Sequence, residues 1–263
     1  MDSAGGESPE IAKTAADGLP ERVADLVGDV TQEEQPRRGR RLTALLAETA
    51  RDSARAMGRG ARATQRGARW GTRWLAEQVL ATAPRLPVRD QETLRAQFPG
   101  LSPEEVADTL IEGAARASGA VGAAVGVWSV LPVVPAFPVE AVTETLALVG
   151  IEIKLIAELH EVFGMRAPGR VTDRMTAYVE AWVRRGGVAL APGGLVLAIG
   201  SPLRRQLRRR LAARAGKSAV SLGPLLTGAA AGALINRRET RRLGQEVRDD
   251  LRQRSPIAAH WPS

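Results

Sequence analysis

The residues of this chain most suggestive of chemistry lie within one short stretch, Glu158, His160 and Glu161. A zinc-binding helix needs His-Glu-x-x-His, so that two imidazoles one turn apart share the metal, and a carboxylate-bridged iron site needs Glu-x-x-His. Neither spacing occurs around His160, and the second of the two histidines, His260, is far away in the sequence. His160 therefore reads as a histidine on a helix surface. The chain has no cysteine, which excludes disulfides, thiol nucleophiles and sulfur-based metal sites. Ala215-Gly216-Lys217-Ser218 ends like a phosphate-binding loop, but Leu211 stands where that motif needs glycine, and an arginine-rich helix stands where it needs a strand. Gly58-x-Gly60-x-x-Ala63 has part of a dinucleotide-binding spacing, yet it falls inside a long helical pattern. No Gly-x-Ser-x-Gly elbow occurs. The sequence points away from catalysis and calls for no metal and no cofactor.

What does recur is arginine. Lys and Arg together number 37 against 29 Asp and Glu, a net charge of +8, and only Lys13, Lys154 and Lys217 are lysine. Arg51, Arg55, Arg59, Arg62, Arg66, Arg69 and Arg73 follow one another at intervals of three or four residues, which places them along one face of a helix. The opposite face, from Leu42 through Ala56 and Gly60 to Trp74, is weakly apolar in its middle. A second concentration, Arg204, Arg205, Arg208 and Arg209, with Arg210 and Arg214, surrounds a narrow stripe of Leu203, Leu207 and Leu211. These arginines are the candidate residues for binding an anionic surface, because a guanidinium grips phosphate with two parallel hydrogen bonds. Lipid headgroups and nucleic acid both offer phosphate. Aromatics make up only 3% of the chain, too few for base-stacking platforms, and no helix-turn-helix pair is evident. An anionic membrane is the first partner expected, with sequence-independent nucleic-acid binding as an alternative.

Several elements must carry these faces. Residues 1–34 hold nine acidic and two basic residues, and residues 1–38 read as an acidic, disordered tail with one short helix near Glu21 to Val30. Residues 39–89 form the arginine-rich amphipathic region, which Pro84 and Pro87 end. A helical domain is expected over residues 101–254 and a flexible C-terminus over 255–263. Ser102-Pro103-Glu104-Glu105 is a helix start, with serine at the cap, proline in the first turn and glutamate three residues after the cap. That helix should run to about Val130. The next, Val139 to Phe163, carries a stripe of Val139, Val142, Leu146, Val149, Ile153 and Ile156, widened by Leu148, Leu155, Leu159 and Val162. Glu140, Glu144, Lys154, Glu158 and Glu161 share its remaining face, and Gly164 ends it. Thr172 is expected to cap an amphipathic helix with Met175, Val179, Trp182 and Val183 inward. A terminal helix should turn Leu243, Val247 and Leu251 to one side. The fold class is all-α, a multi-helix bundle packed through Ala and Gly.

Three stretches lack charge: residues 117–139, 186–203 and 218–236. The first includes Pro132, Pro135 and Pro138, so a kinked entry fits it better than a straight membrane span. Gly122-x-x-x-Gly126 and Gly228-x-x-x-Gly232 lie in two of these stretches and mark candidate positions for close helix packing or membrane contact. The first ten residues are acidic and polar, with no basic or apolar region of a signal peptide, so the expected location is the cytoplasmic side of the cell membrane or the cytoplasm, without secretion.

The segment ASGAVGAAVGVWSVLPVVPAFPVEAVTETLALVGIEIKLIAELHEVFGM, residues 117–165, resembles the EcsC-like family of bacterial proteins. The shared features are a small-residue run, a proline-containing break, a long apolar helix and an aromatic-glycine pair, here Phe163-Gly164. GPLLTGAAAGALINRRETRRLGQEV, residues 223–247, is similar to that family's closing motif, with Asn236 and Thr240 in order. The proline break lacks the acidic residue that the family often has there. The resemblance implies a helical protein on the inner face of the membrane with no established catalysis. A soluble all-α scaffold or interaction protein, its uncharged stretches forming a buried small-residue core, is the other alternative.

Overall fold

In the computed structural model, residues 18–31, 65–128, 137–185, 202–210, 226–255 and 261 are described. They are helical with short turns, and no strand occurs among them. The helices are α1 (Leu19–Thr31), α2 (Gln65–Thr82), α3 (Gln91–Gln97), α4 (Pro103–Trp128), α5 (Phe137–Val162), α6 (Val171–Arg185) and α7 (Leu226–Arg254), with a further helical stretch over 202–210. A 3-10 turn, Ala83–Arg85, follows α2 where the sequence supplies Pro84.

Local chemistry sets the ends of these helices. At the start of α4 the Ser102 backbone N–H and hydroxyl both donate to Glu105, while the Glu105 N–H donates back to the Ser102 hydroxyl, the reciprocal cap read from the sequence. The end of α5 is closed by Gly164 at φ 65°, with the Met165 N–H on the His160 carbonyl and the Gly164 N–H on the Glu161 carbonyl. Asp90 caps α3 by accepting from the Thr93 N–H. The start of α6 differs from the reading above. The helix begins at Val171, so Thr172 lies in its first turn, and Asp173 closes the end by accepting from the Arg170 N–H.

Helices α4 and α7 form a long antiparallel pair. Ile111 meets Gly244 near one end and Gly122 meets Gly232 toward the other, with Glu112 on Arg241 and Asp108 on Arg248 along the edge. α5 runs antiparallel to α4 and parallel to α7, tied to the latter where Glu144 accepts from Asn236 and where Ser255 donates to the Phe163 carbonyl. Trp128, Phe137 and Leu226 consequently lie at the same end of this three-helix unit.

Helix α5 sits at the centre, in contact with α1, α2, α3, α4, α6 and α7. Its apolar residues from Leu146 to Val162 are buried on every side, not along one stripe. α1 contributes directly to this core. Leu19, Val23, Leu26 and Val27 are almost wholly buried, and Val27 packs where Gly150 of α5 leaves room. The boundary at residue 38 therefore does not set the whole of residues 1–38 apart as a tail. The far terminus is tied as well, through Ser255 and through Trp261, whose indole N–H donates to the Val162 carbonyl. The reading of 255–263 as flexible does not hold at those two residues.

Candidate functional site

The charged residues of α5 are placed differently from the sequence reading. Lys154, Glu158 and Glu161 are buried and Glu144 is half-buried, so these residues do not form a solvated face. The side chain of Glu140 lies outside the described residues. Each buried charge is partnered, as its desolvation requires. Glu158 Oε2 accepts from the Arg89 guanidinium at 2.8 Å. Its Oε1 takes the Arg89 Nε at 2.8 Å, the Arg89 backbone N–H, and the Lys154 ammonium one turn earlier. A cavity of about 20 Å³ lies beside this cluster, lined by Thr31, Phe98, Thr109 and Lys154 among others, with room for about one water.

A second buried network faces α6 and α7. Glu152 Oε2 accepts from the Trp182 indole at 2.6 Å and from Arg210 at 2.8 Å. Its Oε1 lies 3.5 Å from the Thr240 hydroxyl, which donates to Ser118 at 2.8 Å. The Arg210 guanidinium also stacks 4.8 Å from the Trp182 ring centre. Arg210 thus anchors residues 202–210 to the core, and Leu203 and Leu207 of the same helix are fully buried.

The buried acids are held by cations and hydrogen-bond donors. Glu152 Oε2 is committed to Arg210 and the Trp182 indole, and both oxygens of Glu158 are committed to Arg89 and Lys154. His160 is half-buried, which corrects its reading as a surface residue; its Nδ1 lies 2.7 Å from the Ile156 carbonyl and must carry the proton there. Burial lowers its pKa, favouring the neutral ring. Among the described residues no cluster of three or more acidic or histidine side chains could hold a metal. An open cleft beside Trp261 is lined by Arg95, Phe98, Leu101 and Glu105, but Glu105 is spent on the α4 cap and Arg95 stacks on Trp261.

The ion pairs set an acid limit on the fold. Burial pushes the Glu158 carboxyl up, but the Arg89 hydrogen bonds and the charges of Lys154 and Arg89 outweigh it and hold the group below its ordinary 4.5. Burial meanwhile pulls the Lys154 ammonium down from 10.5, and Glu158 opposes that pull. Hydrogen bonds from Arg241 hold Glu112 below 4.5. A carboxyl with a depressed native pKa binds fewer protons folded than unfolded, so its stabilisation is present above the unfolded value and lost as pH falls through the native one. The urea midpoint is expected to change little from about pH 7 to pH 5 and to drop below about pH 4.5. A midpoint that rises on acidification over that lower range would contradict the assignment.

The candidate anion-binding arginines are distributed as follows. Arg51, Arg55, Arg59 and Arg62 lie outside the described residues. Arg66 and Arg69 fall within α2, with side chains outside the description. Arg73 is exposed and paired with Glu77 at 3.0 Å. Arg204 is half-buried, while Arg205, Arg208 and Arg209 are exposed. No carboxylate partner for Arg205 or Arg208 appears among the described residues, and the same holds for Arg238 on α7, which the sequence reading did not single out.

Of the candidate glycines, Gly122 and Gly232 meet at the α4–α7 crossing. Gly126 and Gly228 fall in those two helices, outside the described side chains. The sequence reading also missed Glu152, although a signal was present. Glu152 lies three or four residues from Leu148, Val149, Leu155 and Ile156, which puts an acid inside the apolar stripe.

No described helix is long and apolar enough to cross a membrane. No family model matches the chain, and no curated protein or solved structure matches it.

Proposed function

We propose that this chain is a non-enzymatic helical protein that associates with the cytoplasmic face of a membrane, holding anionic headgroups with its arginine faces. The observation that carries the reading is the set of exposed arginines, Arg170, Arg205, Arg208 and Arg238, which no described carboxylate neutralises although most charges in the bundle are paired. Acids compete for arginine along the whole chain, and a cation left in solvent is available to an anion from outside. The arginine stripe from Arg51 to Arg73 belongs to the same reading. So does the EcsC-like resemblance, whose two polar positions, Asn236 and Thr240, hydrogen-bond to Glu144 of α5 and to Ser118 of α4.

Flotation with vesicles tests this. The protein is expected to float with phosphatidylglycerol vesicles and not with phosphatidylcholine vesicles. Each arginine near an anionic bilayer contributes roughly 1 kcal/mol before screening, so Arg205→Gln with Arg208→Gln should weaken binding about thirtyfold at low salt. The difference should shrink as the Debye length falls to about 8 Å at physiological salt. Equal flotation of the variant and the parent would end the proposed role of these arginines.

One observation favours the alternative of a scaffold with a small-residue core. Ala117, Ser118, Gly119, Val121 and Gly122 are buried, with Ser118, Gly119 and Gly122 packed on α7, so this part of an uncharged stretch is spent on packing. Quantitative recovery without detergent, and no vesicle binding, would support that reading. Tighter binding to duplex DNA than to vesicles would support a nucleic-acid role.

A further inference from the structure

The antiparallel register of α4 and α7 brings two features of the sequence to the same level. Gly119 packs against the Ala233 carbonyl and Arg237, so Arg116, one turn earlier on α4, lies beside Arg237 and Arg238 on α7. Arg238 is exposed with no described carboxylate partner, Arg116 is exposed, and Arg237 is half-buried and paired with Glu112 at 3.5 Å. Beyond this belt α4 has no charge from Ala117 to its end at Trp128, and α7 has none from its start at Leu226 to Asn236. At 1.5 Å per residue these uncharged ends are roughly 16–18 Å long. The hydrocarbon core of a bilayer is about 30 Å thick, so this length matches one leaflet and falls short of a span.

Leu234 is 66% exposed, although it is a large apolar residue, and Ala120 on α4 is exposed as well. Asn236 faces α5, and Leu234 is two residues away, roughly 200° around the helix, so it faces away from α5. That matters because α5 carries Glu140 and Glu144 at this level, and a carboxylate has no place in hydrocarbon.

We propose that the paired ends of α4 and α7 enter one leaflet of an anionic bilayer on the side turned away from α5. Leu234 reaches the acyl region, and Arg238, one turn further along the same helix, sits among the headgroup phosphates. The proposal rests on the membrane reading above and gives it a surface, a depth and an orientation. The exposed Leu234 asks for hydrocarbon and Arg238, which no described carboxylate pairs, for a negative charge, and an anionic monolayer supplies both.

Because the chain has no cysteine, a single environment-sensitive dye can be placed at will. Leu234→Cys is labelled with a nitrobenzoxadiazole dye and Val171→Cys serves as control, since Val171 is 50% exposed at the start of α6, toward the opposite end of the bundle. With phosphatidylglycerol vesicles the dye at 234 is expected to shift to the blue and to be quenched by nitroxides on the acyl chains, while the dye at 171 stays unchanged. Arg238→Gln in the labelled protein should weaken affinity about fivefold and leave the shift at saturation intact. Circular dichroism checks that each variant keeps its helical content. Vesicle binding with no response at 234, or with an equal response at 171, overturns this surface while leaving the membrane reading standing. Failure of the unmodified protein to bind any vesicle overturns both. A response at 234 to duplex DNA and not to vesicles assigns the face to nucleic acid and overturns the proposal.

Discussion

Glu158→Ala is expected to destabilise the fold by about 3–5 kcal/mol, the cost of removing one partner from a buried ion pair. Glu158 is 3% exposed, and its loss strands the Lys154 ammonium at 4% and the Arg89 guanidinium at 21%. Lys154 has beside it only the small cavity with room for about one water, whereas Arg89 can turn outward. The size of the effect therefore depends mainly on Lys154. Lys154→Met combined with Glu158→Leu should recover most of the loss, because well-packed apolar residues of similar volume often replace a buried pair at no net cost. Urea unfolding of the single and double variants measures both effects. A loss below about 1 kcal/mol for Glu158→Ala would mean that the cluster is solvated and that α5 is not enclosed as described.

How far the sequence revealed this cluster follows from where its members lie. Caps and stripes are local, so the Ser102–Glu105 box, the Gly164 stop and the inward face of α6 were legible from neighbouring residues. The all-α class followed from the same periodicity. Enclosure of α5 is not local. It depends on α1, whose Leu19, Val23, Leu26 and Val27 are embedded in a strongly acidic segment that reads by composition as a tail. Arg89 is 69 residues from Glu158 and stood at the edge of a region read as an exposed basic helix. Once a helix is wrapped on all sides, its charged residues can no longer occupy a solvated face, and nothing in the spacing of Glu144, Lys154, Glu158 and Glu161 says whether that face is covered. The exposed arginines show the converse limit. Arg205 and Arg210 lie five residues apart in one basic run, and only the three-dimensional position of Glu152 draws Arg210 inward and leaves Arg205 in solvent.

Gly122→Val is expected to be the other severe substitution, at about 1–3 kcal/mol or more, through overpacking at the α4–α7 crossing. A Cβ at Gly122 would lie 2.5 Å from the Asn236 amide nitrogen and 3.1 Å from the Gly232 carbonyl oxygen. Backbone cannot step aside as a flexible side chain can, and Asn236 is held by its hydrogen bond to Glu144, so the two helices must separate. Gly122→Ala should already be destabilising for the same reason. The opposite glycine behaves differently. A Cβ at Gly232 meets only the Gly122 carbonyl oxygen, at 3.8 Å, which is ordinary contact. Gly232→Ala should therefore be tolerated, and alanine's better helix propensity can add up to about 1 kcal/mol of stability. A crossing that depended on small residues alone would penalise both substitutions alike. The asymmetry instead reports which helix turns its backbone toward the other's side chains. Thermal or urea unfolding of the two alanine variants decides it, and equal losses at 122 and 232 would refute the close approach described here.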